Sequence, residues 1–285
     1  MRLFLLLTSA ILLQSYTALW AQQECFVVGD SDQKVQTIAM SGHTGERFPD
    51  FLRAQACHFQ GVPYGSGGKG SRKGQTLVNL KEMDCLTYVE NLLALYITRS
   101  MVTRNPGVFD STQVLQLFAR NLNYIRYDRG INCEWEDRLF YFTGAMAQLA
   151  SFGIVEDVSA IAGEPYTKRI HYVSSHRSSY PGIRNWQQVL DMERWLSGLR
   201  RFWYPTWALD RYVPIAQDGD IIAFATTADG LDISHVGFVL KDADGTLWLN
   251  HSSSIRKQIE CRMDLCGYLQ HQTRVNGIFV YRLNW

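Results

Sequence analysis

Cys85, His235 and His251 are the residues of this 285-residue chain whose types and surroundings suit covalent chemistry. A cysteine attacks only as its thiolate, and a nearby imidazole is the side chain best matched to take its proton near neutral pH. A second imidazole bonded to the first would fix its tautomer and aim the free nitrogen at the sulfur. Nucleophile, base and orienter of this kind hydrolyse an acyl bond through a thioester, with no metal or organic cofactor.

The chemistry requires elements that bring the three together. From Met83 to Ser100, Leu86, Val89, Leu93 and Tyr96 or Ile97 recur at helical spacing, with Asp84 as the cap. Cys85 then falls in the first turn, where unpaired N–H groups and the helix dipole favour a thiolate and can cradle an oxyanion. On an apolar helix the plain alternative is a buried structural cysteine. Asp220 to Thr226, His235 to Lys241 and Thr246 to Ser252 read as strands, with a turn at Asp242-Ala243-Asp244-Gly245. A hairpin centred near Ala243 sets His235 and His251 directly opposite on one face, about 5 Å apart. A slip of one residue would part them.

Elsewhere the chain carries few competing signals. Met1-Arg2, the apolar run Leu3 to Leu13 and the small residues ending near Ala21 have the layout of a secretory signal peptide over residues 1–21. That run is short for a membrane span and no second one follows, so an exported, soluble single domain over residues 22–285 is expected, with no integral membrane segment after removal of the leader. A net charge of +1 with dispersed basic residues suggests no nucleic-acid partner. Trp203, Tyr204 and Trp207 suit packing against sugar rings or filling a core. Of the other cysteines, Cys261 and Cys266 are close enough in sequence to bridge, whereas Cys25, Cys57 and Cys133 have no assignable partner. The Gly, Ser and Lys loop from Gly65 to Gly74 lacks phosphate-loop spacing. Pro49 to Gln60, Thr112 to Asn121, Glu136 to Ser151 and Trp186 to Arg200 read as helices.

No His-Glu-x-x-His and no Gly-x-Ser-x-Gly occurs, which disfavours zinc and serine hydrolases. The order Pro63-Tyr64, Asp84-Cys85-Leu86-Thr87-Tyr88-Val89-Glu90, Ser234-His235-Val236-Gly237 and His251-Ser252-Ser253 resembles the NlpC-type superfamily of papain-like cell-wall cysteine peptidases. Leu77-Val78-Asn79-Leu80, Arg138-Leu139 with Tyr141-Phe142, Ser174-Ser175-His176-Arg177 with Tyr180, and Gly219-Asp220 with Gly230-Leu231-Asp232 are similar to its N-acetylmuramoyl-L-alanine amidase-like branch. The resemblance implies an α+β fold: a papain-like, NlpC-type core with the cysteine helix packed on an antiparallel sheet, and helical insertions around residues 101–212. It implies cleavage between the lactyl group of muramic acid and L-alanine in peptidoglycan fragments (muropeptides), in the periplasm or outside the cell. By the same resemblance Cys85 is the nucleophile, His235 the base and His251 the orienting residue. Tyr64 stands near the thiolate and assists the oxyanion, and Asp84, Ser234, Ser175, His176 and Arg177 are candidate substrate contacts. Phe140 and Asn250 depart from the branch's usual residues. A γ-D-glutamyl-diamino-acid endopeptidase with the same triad, or a catalytically silent glycan-binding module, is the alternative.

Overall fold

Capping chemistry and strand alternation divide the chain into the elements that position the three candidate residues. The structure is a computed structural model that describes residues 25–65, 71–72, 75–130 and 134–284. The expected leader over 1–21, most of the glycine-rich loop and Cys133 lie outside the described residues. Strand β1 (Cys25–Val27), helices α1 (Ser31–Met40) and α2 (Phe48–Phe59), and strands β2 (Ser71–Arg72) and β3 (Gln75–Val78) lead to helix α3 (Cys85–Arg104). Then come α4 (Ser111–Arg126), α5 (Phe142–Ser151), β4 (Val155–Asp157), α6 (Ser159–Ala162), β5 (Glu164–Tyr166), α7 (Tyr172–Ser175), α8 (Trp186–Gly198) and β6 (Arg201–Pro205). The last quarter holds β7 (Ile221–Thr226), β8 (Ile233–Lys241), β9 (Leu247–Ser253), β10 (Gln258–Asp264), α9 (Leu265–Gln270) and β11 (Val275–Leu283).

The architecture is α+β. The main sheet runs β10-β9-β8-β7-β11-β6-β5, with β4 also paired to β11, and its pairings are antiparallel. The segment 101–212, expected to be helical, also supplies β4, β5 and β6 to this sheet. These strands are only three to five residues long, too brief for alternation to stand out in the sequence. The expected helix from Glu136 begins at Phe142 instead, because Trp135–Asp137 forms a separate single turn and Arg138 bridges to Tyr127.

Helix α3 starts where the Asp84 carboxylate accepts the Thr87 N–H at 2.8 Å while Thr87 Oγ1 accepts the Asp84 N–H at 2.9 Å, a reciprocal capping box. The helix is buried on every side from Thr87 to Arg99, wider than the single apolar stripe its periodicity predicts. Helices α1 and α4 cover one flank and strands β8 and β9 the other. Its polar residues are therefore buried with partners. Glu90 receives Arg126 at 2.6 Å and Arg138 at 3.3 Å, tying α3 to α4 and to the chain entering α5. Arg99 is paired with Glu46.

Cys261 and Cys266 do not form the bridge that their spacing would allow: both are thiols. Cys261 sits within β10, its N–H bonded to the Gln60 side chain at 2.9 Å, while Cys266 is exposed in the first turn of α9, where Asp264 caps the helix. The strand-to-helix turn separates them. Burial first, and then Cys57, raise the pKa of Cys261.

The Arg–Glu–Arg cluster is a sensitive point of this packing. Glu90→Ala would leave two buried guanidinium groups without their carboxylate, and breaking a buried pair costs about 3–5 kcal/mol. Urea unfolding at neutral pH should show that loss; a change below about 1 kcal/mol would contradict the cluster's role.

Candidate active site

Strand β9 presents alternate residues to opposite faces of the sheet, and both sets are used. Asn250 and Ser252 face α3: Tyr88 Oη donates to Asn250 Oδ1 at 2.7 Å, and Ser252 Oγ donates to the Met83 carbonyl at 2.6 Å. Both bonds are buried and fall within one turn of Cys85. His251, between them, points to the other face, where Phe224 and Tyr268 also lie. On β8, Val236, Phe238 and Leu240 join the core under α3, so His235 shares the face of His251.

The histidines meet, although not in the expected register. Phe238 pairs with Asn250 and Lys241 with Leu247, which centres the hairpin on Asp244 rather than Ala243. His251 is therefore opposite Gly237, and His235 is its diagonal neighbour two residues away. An offset of two keeps both rings on one face, where an offset of one would not. Gly237 leaves the space for the diagonal: a Cβ there would lie 3.0 Å from His251 Cβ and 2.7 Å from the Asn250 carbonyl. The rings stand nearly perpendicular, and His235 Nε2 lies 2.6 Å from His251 Nδ1. This leaves Nδ1 of His235 as the ring nitrogen that His251 does not engage. Beside it the β7–β8 ladder is bulged, with Phe224 opposite His235 but Ala225 opposite Ile233. Ser234 is the extra residue, exposed at the mouth of the site.

Burial sets the protonation of the pair. His235 is 7 % exposed and its pKa is lowered to about 3, first by burial and then by His251. His251 is 1 % exposed and lowered to about 4 by burial. Both rings are neutral at neutral pH, which a base must be. Cys85 is half-buried at the start of α3. Two phenols sense its charge. Tyr64 is pushed up to about 12, by burial and then by Cys85, and it is held by its N–H to the Lys257 carbonyl at 2.8 Å. Tyr268 is raised by burial and then by Cys85, while its ring packs 5.7 Å from His235 and 5.4 Å from His251. Tyr268 is thus near both Cys85 and the histidines, and the sequence reading missed it. It stands on the short helix α9, which only tertiary packing brings over the sheet.

The other expected residues divide by position. Asp84 is 1 % exposed, with its carboxylate engaged in the cap immediately before Cys85. Ser234 lines a cavity of about 270 Å³ together with His235, His251, Ser253, Tyr268 and Arg274. Ser175, His176 and Arg177 are exposed on α7 and the turn after it. Ser175 Oγ bonds the His171 carbonyl, His176 stacks on Tyr172 at 4.0 Å, and Arg177 lies 4.7 Å from the Trp186 ring centre. Among the described residues no hydrogen bond or ring contact joins these three to the histidine pair. Their segment does reach the loop before β8, where the His171 and Tyr172 N–H groups share the Gly230 carbonyl. Phe140 packs between Trp135 and Tyr180 beside this segment.

The depressed histidines also govern stability. Unfolded histidine titrates near 6.5, whereas the native pair titrates near 3 and 4. Between those values the unfolded chain binds more protons, so the contribution is complete above pH 6.5 and is lost as pH falls toward 4. Urea unfolding of His251→Asn should show a shallower decline than the parent between about pH 6.5 and 4.5. An unchanged slope would contradict a buried neutral pair.

A family model described as N-acetylmuramoyl-L-alanine amidase-like matches residues 54–278. Among solved structures, an N-acetylmuramoyl-L-alanine amidase from Bacteroides uniformis is 28 % identical with a TM-score of 0.71, over 84 % of this chain and 100 % of that one. A Bacteroides fragilis protein assigned provisionally as a xylanase is also 28 % identical, with a TM-score of 0.67 over 81 % and 99 % of the two chains. A Legionella pneumophila protein of the DUF1460 family shares the fold, with a TM-score of 0.63, 17 % identity and coverage of 89 % and 93 %. No curated protein sequence matches the chain. Among the described residues no helix is long and apolar enough to cross a membrane. With its family match covering most of the chain and including Cys85, His235 and His251, the protein belongs to the N-acetylmuramoyl-L-alanine amidase-like family.

Proposed function

We propose that the protein is a papain-like cysteine amidase that hydrolyses the bond between the muramic acid lactyl group and L-alanine in muropeptides. The observation that carries the reading is the 2.6 Å contact between His235 and His251, with Tyr268 packed against both rings and close enough to Cys85, in the first turn of a buried helix, to sense its charge. The family match and the name of the Bacteroides uniformis relative support the substrate class. The cysteine helix packed on β8 and β9 supports the NlpC-type core.

In this mechanism His235 Nδ1 takes the Cys85 proton and the sulfur attacks the lactyl carbonyl carbon. The oxyanion is held by N–H groups of the first turn of α3 and by the Tyr64 hydroxyl, which with a pKa near 12 stays a donor. The tetrahedral intermediate collapses with cleavage of the C–N bond, and His235 returns its proton to the leaving L-alanine amine. Water, deprotonated by His235, then opens the thioester and releases the lactyl carboxylate and the thiol. Burial keeps His235 neutral at rest, with a lone pair on Nδ1 for the first proton, and because the same burial disfavours the imidazolium, its bond to His251 must stabilise the cation. Ser234, and the exposed Ser175, His176 and Arg177 on the approach to β8, are the candidate contacts with sugar or peptide. The domain spans residues 22–285 and acts in the periplasm or outside the cell, after loss of the leader at residues 1–21.

Mass spectrometry of muropeptides incubated with the mature protein tests the reading. Free stem peptide beginning at L-alanine is expected from the parent protein and, by loss of the nucleophile, at least about 10⁴-fold more slowly from Cys85→Ala. Cleavage after D-glutamate would contradict the bond assignment, and a Cys85-independent product would contradict the mechanism. Incubation with EDTA should leave the rate unchanged; inhibition that added metal reverses would contradict a metal-free scheme.

A further inference from the structure

Beyond the two histidines, strand β10 places a carboxylate on the same line. Glu260 is paired directly with His251 in the β9–β10 ladder, so their side chains share a face. The ladder is irregular immediately after Glu260, with Met263 next paired to Leu249, and this bulge ends the regular alternation at that residue. His251 Nε2 and Glu260 Oε2 are both buried, and neither has a hydrogen-bond partner among the described residues. They face each other at 3.7 Å. That is longer than the roughly 2.9 Å of a completed N–H···O bond, and rotation within the glutamate side chain closes the gap. Orphaned buried polar atoms are rare in folded proteins, and two opposed ones of complementary type call for a joint explanation. Glu260 is also fixed from behind: its carbonyl accepts Asn250 Nδ2 at 3.2 Å, and Asn250 accepts Tyr88 of the cysteine helix.

We infer that Glu260 is a positioning residue, the end of a hydrogen-bond line His235–His251–Glu260 across β8, β9 and β10 that dictates the tautomer of the base. The inference rests on the cysteine mechanism proposed above. A carboxylate accepts only, so it holds the His251 proton on Nε2. His251 Nδ1 is then an acceptor and must receive the proton of His235 Nε2. His235 Nδ1 is left without a proton, which is the form that can take one from Cys85. With the opposite tautomer His235 would present an N–H to the thiol and could not act as base. When the Cys85 proton moves to His235 Nδ1, the cation formed there is bonded through His251 to the carboxylate, which stabilises it. Other ionisable groups facing the line are Tyr268, which packs on both rings and senses Cys85, His271 and Arg274 across the cavity, Cys261 on β10, and Arg256, whose Nε is 3.9 Å from Glu260 Oε1.

The test uses the rate of Cys85 alkylation by iodoacetamide as a function of pH, read by peptide mass spectrometry in the full mature protein. It requires no assumption about which amide is cut. In Glu260→Leu, Cys85 should react about tenfold or more slowly at pH 7, with its profile displaced to higher pH. Glu260→Gln keeps an acceptor oxygen without the charge, so it should fall between Leu and the parent, and it decides the matter if the leucine variant does not fold. Cys266, exposed in the first turn of α9 where Asp264 caps the helix, should keep its rate in every variant. A Gln or Leu profile superimposed on the parent's would overturn the inference while leaving the cysteine mechanism intact. A parent Cys85 no faster than Cys266 would overturn both.

Discussion

The site depends on the alternation of a single strand. In β9, Asn250 and Ser252 hold the first turns of the cysteine helix on one face, and His251 holds His235 on the other. The pleat makes these contacts inseparable, since a one-residue slip would turn His251 toward α3 and the helix anchors toward Tyr268 at the same time. The cysteine helix and the histidine pair are thus set by one backbone rather than by two elements that must be aligned independently. Holding reacting groups in fixed geometry is one of the largest contributions a protein makes to catalysis.

Around that strand the buried polar residues are fasteners. Glu90 joins α3 to Arg126 and Arg138. Asp232, three residues before His235, accepts both the N–H and the hydroxyl of Thr143, at 2.9 and 2.8 Å, and so ties the start of α5 to the start of β8. Burial raises its pKa despite those bonds. Glu193 on α8 accepts Tyr141 Oη at 2.7 Å and the Ser174 N–H at 2.9 Å, which seats α7 beside the loop before β8. Asp220 is clasped by Arg282 of β11 through two hydrogen bonds, at 2.7 and 2.9 Å. Each is a charge or phenol removed from water and given a specific partner, an arrangement that is costly to break. Many of the residues by which the chain resembles its family thereby fix the frame around Cys85 and the histidines.

Local signals in the sequence disclosed the cap at Asp84, Cys85 in the first turn and the hairpin that joins the histidines, because each depends on neighbours within about twenty residues. The register error came from the turn: Gly245, at φ +89°, closes a loop running from Asp242 to Thr246, whose centre is Asp244. The departure at Asn250 has a structural role, since its amide links Tyr88 of α3 to the Glu260 carbonyl of β10. Tyr268 and Glu260 left no comparable signal. One lies on a six-residue helix placed by long-range packing, and the other needs the pairing of β10 with β9, whose connecting turn contains no glycine and is closed by Lys257 at φ +60°. Phe140 and Tyr180 were legible only through the family resemblance, and the fold gathers them with Trp135 beside α7.

The most direct test of a single-strand alignment is a crystal structure of the Cys85→Ala protein with an uncleaved muropeptide bound. The account predicts the lactyl carbonyl carbon within about 3–4 Å of the position the sulfur would occupy, with the scissile nitrogen turned toward His235 Nδ1. A muropeptide seated with the D-glutamate carbonyl at that point, or bound away from β9 altogether, would contradict it.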